Sequence, residues 1–363
     1  MHILILGGGV IGVVSAYYLA KQGHRVTVVE RHSAVAEEAS YANGGQLCYS
    51  CVNPLKYRAG KEMATNARRR FRNQLFLEVR AAFIALIEDM GVRFDYQLEG
   101  TLQLYFNQES LEEALDACIF KGSLGIPYQA LSPAACIQRE PALAGAEFTG
   151  GILFPEDGTG DVLVFTRVLA GLLVERGVQF QYQTTVTGWR TEGDRIAAIV
   201  TDQGELVADA YVLALGAHSA GLAKPLGIAL PIVPKRGYSI TIPLEADDIV
   251  PQLGIGDPEN EMYYSRMGAY LRIAGVTERP SYALDIPPER IAWMMAQADR
   301  LFPRLHLKER EHRVRACLRP SSADSAPIIG KTAYTNLYMN TGHGGFGWTL
   351  APISGKRLAS VIQ

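Results

Sequence analysis

The first thirty residues constrain the fold more than any other stretch of the chain. Ile3 to Leu6 read as a short apolar strand, and Gly7-Gly8-Gly9-Val10-Ile11-Gly12 follows at once, with glycines at the first, third and sixth places of G-x-G-x-x-G. A helix and a second strand, Arg25 to Glu30, complete the unit, and that strand ends in an acid at the distance expected of a dinucleotide site. Each glycine has its own task. Gly7 permits the tight turn, Gly9 lets the backbone approach a pyrophosphate, and Gly12 lets the helix lie close to the strand. With Val10 and Ile11 in the first turn, the helix N-terminus offers N–H groups and a positive dipole end to phosphate oxygens. Glu30 would accept hydrogen bonds from a ribose, with Arg31 beside it at the same site, and an acid there disfavours a 2′-phosphate. The pattern predicts a dinucleotide and leaves open which one.

With 363 residues, 48% of them hydrophobic, the chain can bury a large core shared between two domains. A formal net charge of −2 carries no footprint for nucleic-acid binding, and neither a nucleic-acid partner nor a metal is expected. No apolar run reaches the roughly 18 residues of a membrane span. The first apolar stretch is the fingerprint strand itself, without a basic leader, so the expectation is a soluble cytoplasmic protein. The five cysteines, Cys48, Cys51, Cys118, Cys136 and Cys317, are odd in number and scattered, unlike a disulfide framework. Cys48-x-x-Cys51 has the spacing of a redox or zinc pair. No second pair or histidine accompanies it, and ordinary thiols near a loop are expected.

Ser33 to Gly45 is small and polar, ending Ser40-Tyr41-Ala42-Asn43-Gly44-Gly45 before Gln46. It suits a segment wrapped against a ligand with its N–H groups turned inward, and equally a flexible surface loop. Lys56 to Arg72 is basic around Arg68-Arg69-Arg70-Phe71-Arg72; this is a solvated helix face or, more sharply, a peripheral contact with an acidic membrane surface or redox partner. Leu75, Val79, Phe83, Leu86 and Met90 recur at three- and four-residue steps, which predicts an amphipathic helix from Gln74 to Met90, stopped by Gly91. Strands are predicted at Gly100 to Phe106, Val178 to Tyr182, Thr185 to Arg190 and Arg195 to Thr201, and helices at Ser110 to Gly125 and Val164 to Arg176. Ala210 to Ala217 has the form of a parallel central strand returning to the nucleotide domain. Val186, near the start of one of these strands, and Gly216, near the end of the last, are further candidates for cofactor contact. From Pro231 the pattern turns antiparallel, with strands at Gly237 to Ile242, Met262 to Ser265, Tyr270 to Gly275 and Arg310 to Leu318, and one helix, Pro288 to Phe302. The tail returns to the first style.

That tail holds a second glycine-rich turn from strand to helix, Asn340-Thr341-Gly342-His343-Gly344-Gly345-Phe346-Gly347-Trp348, more than three hundred residues after the first. Two such turns bracketing another domain suit a long, two-ended cofactor such as FAD. One cradles the pyrophosphate; the other brings a helix N-terminus to the flavin, where its dipole stabilises negative charge on the reduced ring.

Taken together, Gly7 to Gly12, Ser40 to Gln46, Lys235-Arg236-Gly237-Tyr238-Ser239, Leu318-Arg319-Pro320 with Asp324 to Gly330, and Asn340 to Thr349 resemble the D-amino acid oxidase superfamily, most closely its bacterial D-amino acid dehydrogenases. The resemblance runs in order over nearly the whole chain. It implies an α/β fold: a Rossmann-like, glutathione-reductase-like FAD-binding domain formed by residues 1–75, 145–225 and 320–363, interleaved with a mainly antiparallel α+β substrate domain of residues 76–144 and 226–319. It also implies hydride transfer from an amino acid α-carbon to flavin N5, leaving an iminium that water hydrolyses to a 2-oxo acid. A quinone or redox protein would take the electrons, or oxygen in an oxidase of small amino or imino acids; a non-catalytic FAD subunit is the alternative of another class.

In that family the arginine before proline binds the substrate carboxylate, and here it is Arg319, whose planar fork suits bidentate pairing. Tyr238 is expected to wall the substrate, together with one of Tyr263 and Tyr264, since side chains alternate along a strand; Tyr263 is preferred, and aromatic packing is the alternative for each. Thr349 follows Trp348 at the flavin end, and His343 either touches the flavin or serves the helix entry. The chain departs from the family at Cys317, which stands where a glycine is usual. Related sarcosine oxidases attach flavin covalently to a cysteine there, so FAD is expected non-covalent, with a link through Cys317 as the alternative. The segment between Gln46 and Gln74 also looks shortened.

Overall fold

A computed structural model describes residues 1–41, 43–51, 62–278, 280–322 and 326–362. The basic residues from Lys56 to Lys61, the side chains of Arg68 and Arg69, and Asp324 lie outside the described residues. The opening strand, His2–Leu6, lies inside a six-stranded sheet ordered Ile328–Lys331, Leu337–Thr341, Ala210–Leu213, His2–Leu6, Arg25–Val29, Gln179–Gln181. All its pairings are parallel except that of the edge strand Ile328–Lys331. Both faces are covered, which is why these strands are apolar throughout instead of alternating. On one face Ile3, Ile5, Val26, Val28 and Val212 pack with the opening helix Val10–Lys21, the helix Val162–Glu175 and the closing helix Gly347–Ala359. On the other, Leu4, Leu6, Tyr211 and Leu213 meet Ile196 and Ile199 of a three-stranded antiparallel sheet. Each such side chain, when fully buried, contributes about 1.5–3 kcal/mol.

The second domain is built on an eight-stranded sheet ordered Arg313–Ser322, Ile232–Pro243, Tyr270–Gly275, Met262–Met267, Gly254–Asp257, Thr101–Tyr105, Gly150–Phe154, Gln129–Leu131. One pairing in it, Gly254–Asp257 with Thr101–Tyr105, is parallel. Helix Pro288–Leu301 packs on one face through Ile291, Met294 and Ala298, beside Ile240, Ile242, Tyr264 and Ile273.

Two expected domain boundaries move. The amphipathic helix spans Glu62–Met90, and its Phe76, Val79, Phe83 and Leu86 are buried in the same core as the opening helix, not in the substrate domain. An apolar stripe packs wherever the matching groove lies, and the groove here is formed by the closing helix and its neighbours. Conversely Gly150–Phe154, expected with the nucleotide domain, joins the eight-stranded sheet by pairing with Thr101–Tyr105. Arg72, expected on a solvated face, is 7% exposed.

Candidate functional site

The opening turn is held from both sides. Gly7 has φ +111°, and a Cβ there would lie 2.6 Å from the Ala214 carbonyl oxygen. A Cβ on Gly12 would lie 1.9 Å from the Gly7 carbonyl oxygen, so strand and helix touch backbone to backbone. The Glu30 carboxylate accepts from Gly8 N–H at 2.7 Å and from His32 N–H at 2.9 Å, bracing the turn. Ser40 Oγ accepts from Val10 N–H at 3.2 Å, which ties the wrapping segment to the helix N-terminus.

From this turn a cavity of about 400 Å³ reaches the second turn. Gly7, Gly9, Val10, Ile11, Glu30 and Arg31 line one end, and Ser40 and Asn43 one side. Val186, Gly216, Gly342, His343, Gly344, Gly347 and Trp348 line the rest. The other expected cofactor residues stand outside the lining, each with a different job. Gly12 serves backbone packing, as above. Gly44 lies against Ala274 and Tyr263, and Gly45, at φ +76°, leaves room for the Met267 side chain. Phe346 meets Phe76 edge-on at 5.2 Å, and Gly345 is exposed. Thr349 Oγ1 donates to the Gln46 carbonyl at 3.1 Å, so these two residues clamp the wrapping segment to the closing helix.

His343 lines the cavity, and its Nε2 lies 2.8 Å from Ser354 Oγ in the closing helix. Burial drives its pKa down to about 3, so it is neutral and places no positive charge beside the cofactor. The cavity also takes walls that no glycine marks: Thr184, Thr185, His218, Leu222, Leu318 and Pro320. Only the proximity of Leu318 and Pro320 to the Arg319 motif could have signalled any of them.

Strand register sorts the substrate-side candidates. Lys235 pairs with Arg319 and Gly237 with Cys317; Ser239 pairs with Ala274, which pairs with Tyr263. Those residues therefore share one face of the sheet, the face against which Gly44 lies. Arg319 crosses over Gly237, where a Cβ would stand 2.7 Å from its Nε. It donates to Thr277 Oγ1 at 2.9 Å and to the Gly275 carbonyl at 3.3 Å. Among the described residues it has no ion-pair partner, while Leu318 and Pro320 on either side line the cavity. Tyr263 is buried with its hydroxyl unpartnered among the described residues, in space that Gly254 leaves free.

Tyr238 is a correction. It stands on the opposite face, among Ile240, Ile242 and the Pro288–Leu301 helix, because its register partners are Gly275 and Ala316. Burial, and then the Glu278 carboxylate, push its pKa up to about 12. It is a core tyrosine. Cys317 shares the Arg319 face but does not line the cavity, and burial raises its thiol pKa.

No motif marks Asp157 in the sequence. It is 1% exposed and accepts from Tyr49 N–H, Ser50 N–H, Ser50 Oγ and Thr101 Oγ1. Desolvation nevertheless raises its pKa from 3.8 to about 6. A carboxyl whose folded pKa is raised stabilises the fold below its unfolded pKa, and that contribution is lost as pH rises through the folded value. Asp157→Asn removes the dependence. The stability of the natural protein minus that of the variant should therefore fall by about 2–3 kcal/mol between about pH 4 and pH 7, read from urea unfolding at each pH. The loop that Asp157 holds contains a second surprise: Cys48 and Cys51, expected as thiols, form a disulfide.

The cavity fits FAD on its own evidence. Gly9 meets only Ser40 Oγ, at 3.7 Å from where a Cβ would be, so the missing side chain leaves the cradle open beside a helix N-terminus. Glu30 and the second glycine turn stand where the two ends of such a cofactor need them. The chain belongs to the FAD dependent oxidoreductase (DAO) family, whose pattern it matches over residues 2–361. It is an FAD-dependent enzyme of the amino acid dehydrogenase type.

Among its relatives, the D-amino acid dehydrogenase of Azorhizobium caulinodans is 35% identical, covering 100% of this chain and 96% of that protein. The D-amino acid dehydrogenase of Dechloromonas aromatica is 36% identical, covering 100% and 97%. The Azorhizobium alignment runs over 402 residues against 363 in this chain, so the relative carries insertions that this chain lacks. Glycine oxidase from Bacillus cereus is similar in structure, with TM-score 0.84 and 26% identity over 99% of this chain and 94% of that one. The fold is also that of L-proline dehydrogenase from P. horikoshii, with TM-score 0.82 and 22% identity over 100% and 93%. No helix among the described residues is long and apolar enough to cross a membrane.

Proposed function

We propose that the protein oxidises D-amino acids at the α-carbon to 2-oxo acids and passes the electrons to a quinone or another acceptor than oxygen. The observation that carries this is Arg319, a guanidinium without a carboxylate partner among the described residues, set at the rim of the FAD cavity on a bare glycine. A permanently charged fork held among the described residues by a hydroxyl and a carbonyl keeps its remaining donors for an incoming carboxylate. The names of the relatives supply the D configuration and the use of an acceptor other than oxygen.

Bound FAD supplies the hydride acceptor. The chain supplies the rest. Arg319 fixes the substrate carboxylate, Thr277 and the Gly275 carbonyl fix Arg319, and Tyr263 walls the same face, so the α-carbon is held in one orientation. An amine that arrives neutral needs no strong base, and neutral His343 provides none. Water hydrolyses the imino product to the 2-oxo acid and ammonia. That Cys317 stands outside the cavity lining supports FAD held without a covalent bond.

The test mixes purified protein anaerobically with a panel of D- and L-amino acids, follows flavin bleaching, then admits air. D-amino acids should bleach the flavin, air should restore it slowly, and acid-precipitated protein should release all of its chromophore. Bleaching by L-amino acids alone, or by none, would overturn the assignment. Rapid recovery in air would make the enzyme an oxidase, the activity named in the glycine oxidase that it resembles structurally.

A further inference from the structure

The Cys48–Cys51 disulfide has two unlike ends: Cys48 is fully buried, and Cys51 is partly exposed. The residues between them are fixed to a buried acid. Tyr49 N–H and Ser50 N–H donate to one Asp157 oxygen at 2.7 and 2.8 Å, and the Ser50 hydroxyl donates to the other at 2.7 Å. The Ser50 oxygen also lies 3.8 Å from Cys48 Sγ. On the other side Cys48 N–H donates to Thr349 Oγ1 at 3.1 Å, and Thr349 Oγ1 donates to the Gln46 carbonyl at 3.1 Å. The disulfide loop is thus joined both to the end of the wrapping segment and to the first turn of the closing helix, whose Gly347 and Trp348 line the FAD cavity.

We infer that Cys48–Cys51 is a dithiol–disulfide exchange site, reduced by dithiols in solution, and that its state sets how tightly the wrapping segment holds FAD. The second half rests on the FAD reading; the first does not. A donor thiolate attacks the Cys51 sulfur, the exposed end. The bond between Cys51 and Cys48 breaks, a mixed disulfide forms at Cys51, and Cys48 leaves as a thiolate. The second thiolate of the donor attacks the mixed disulfide, closing the donor's own disulfide and releasing Cys51. Two electrons pass from donor to protein, and each cysteine takes up one proton.

Ser50 is the positioning residue for that proton. Its oxygen can accept from a protonated Asp157 while its hydrogen turns to the Cys48 thiolate, which gives a continuous path from carboxyl through hydroxyl to sulfur. Asp157, raised to about 6 by burial, carries a proton for that thiolate up to a higher pH than an ordinary aspartate does. Reduction removes the covalent tie across the loop, so the Cys48–Thr349–Gln46 chain of hydrogen bonds loses its anchor.

The experiment places the FAD-bound protein in mixtures of reduced and oxidised dithiothreitol, with circular dichroism confirming that it stays folded. Alkylation and peptide mass should show Cys48 and Cys51 becoming labelled together, while the FAD dissociation constant rises about fivefold, the effect of roughly one net hydrogen bond. Ser50→Ala keeps both cysteines and should slow exchange at least about tenfold. Cysteines that stay unlabelled until the chain unfolds overturn the exchange site. Labelling with unchanged FAD affinity overturns the coupling, and an unchanged rate in Ser50→Ala overturns the relay. Failure of the amino acid oxidation reading would show separately, as an unbleached flavin with these thiol counts intact.

Discussion

Replacing Arg319 by alanine should raise KM for the amino acid about 100-fold or more, the loss of two charge-assisted hydrogen bonds, while the protein keeps its full complement of FAD. The two readouts separate because Arg319 stands outside the cavity lining and touches Thr277 and Gly275 instead. Lysine at this position keeps the charge but not the fork, and should recover only part of the loss. An alanine variant with unchanged KM would remove the carboxylate role. Equal loss of FAD would show that the residue is structural. Thr277→Val offers a graded version: the guanidinium remains, its 2.9 Å restraint goes, and KM should rise several-fold with little change in kcat.

The second large effect is expected at Gly12. Helix propensity alone favours alanine over glycine by up to about 1 kcal/mol. Sterics oppose it, because the new Cβ would lie 1.9 Å from the Gly7 carbonyl oxygen, a backbone atom that cannot step aside without opening the turn. Gly12→Ala should therefore destabilise by about 3 kcal/mol or more and lower the FAD content of purified protein. Gly171→Ala is the control. It sits in helix Val162–Glu175 with nothing within 4 Å of its would-be Cβ, and should stabilise by about 0.5–1 kcal/mol. If both variants behave alike in thermal unfolding, close packing is not what requires Gly12.

The parts of the site that could be read from the sequence are those whose physics is local. The opening strand, turn and helix are written within thirty residues, since glycine spacing and an acid at the second strand's end are consequences of short-range geometry. Alternation along their own strand told that Tyr263 and Tyr264 face opposite ways, but not which way each faces. Nor was the face of Tyr238 legible, because it depends on which side the helix Pro288–Leu301 covers, and that is settled only by pairing with Arg313–Ser322 and Tyr270–Gly275. Asp157 belongs to no motif, and its partners Ser50 and Thr101 are far away in sequence. The cysteine spacing was visible, but the bond is a matter of three-dimensional approach. The helix Glu62–Met90 showed its stripe plainly, while the sequence held no statement of what the stripe would meet.

One feature of the sheet bears on how the protein is made. The opening strand His2–Leu6 pairs with Arg25–Val29 and with Ala210–Leu213, and Ala210–Leu213 pairs in turn with Leu337–Thr341. The opening helix meanwhile packs on Gly347–Ala359. On the ribosome, then, the phosphate turn is made more than three hundred residues before Leu337–Thr341 and Gly347–Ala359, and its sheet and covering helix are complete only when those have emerged. Contacts of such long sequence separation form slowly. Loading of the cofactor is thereby deferred until that closing stretch has been made. Until then the apolar side of the opening helix is surface that a chaperone must shield.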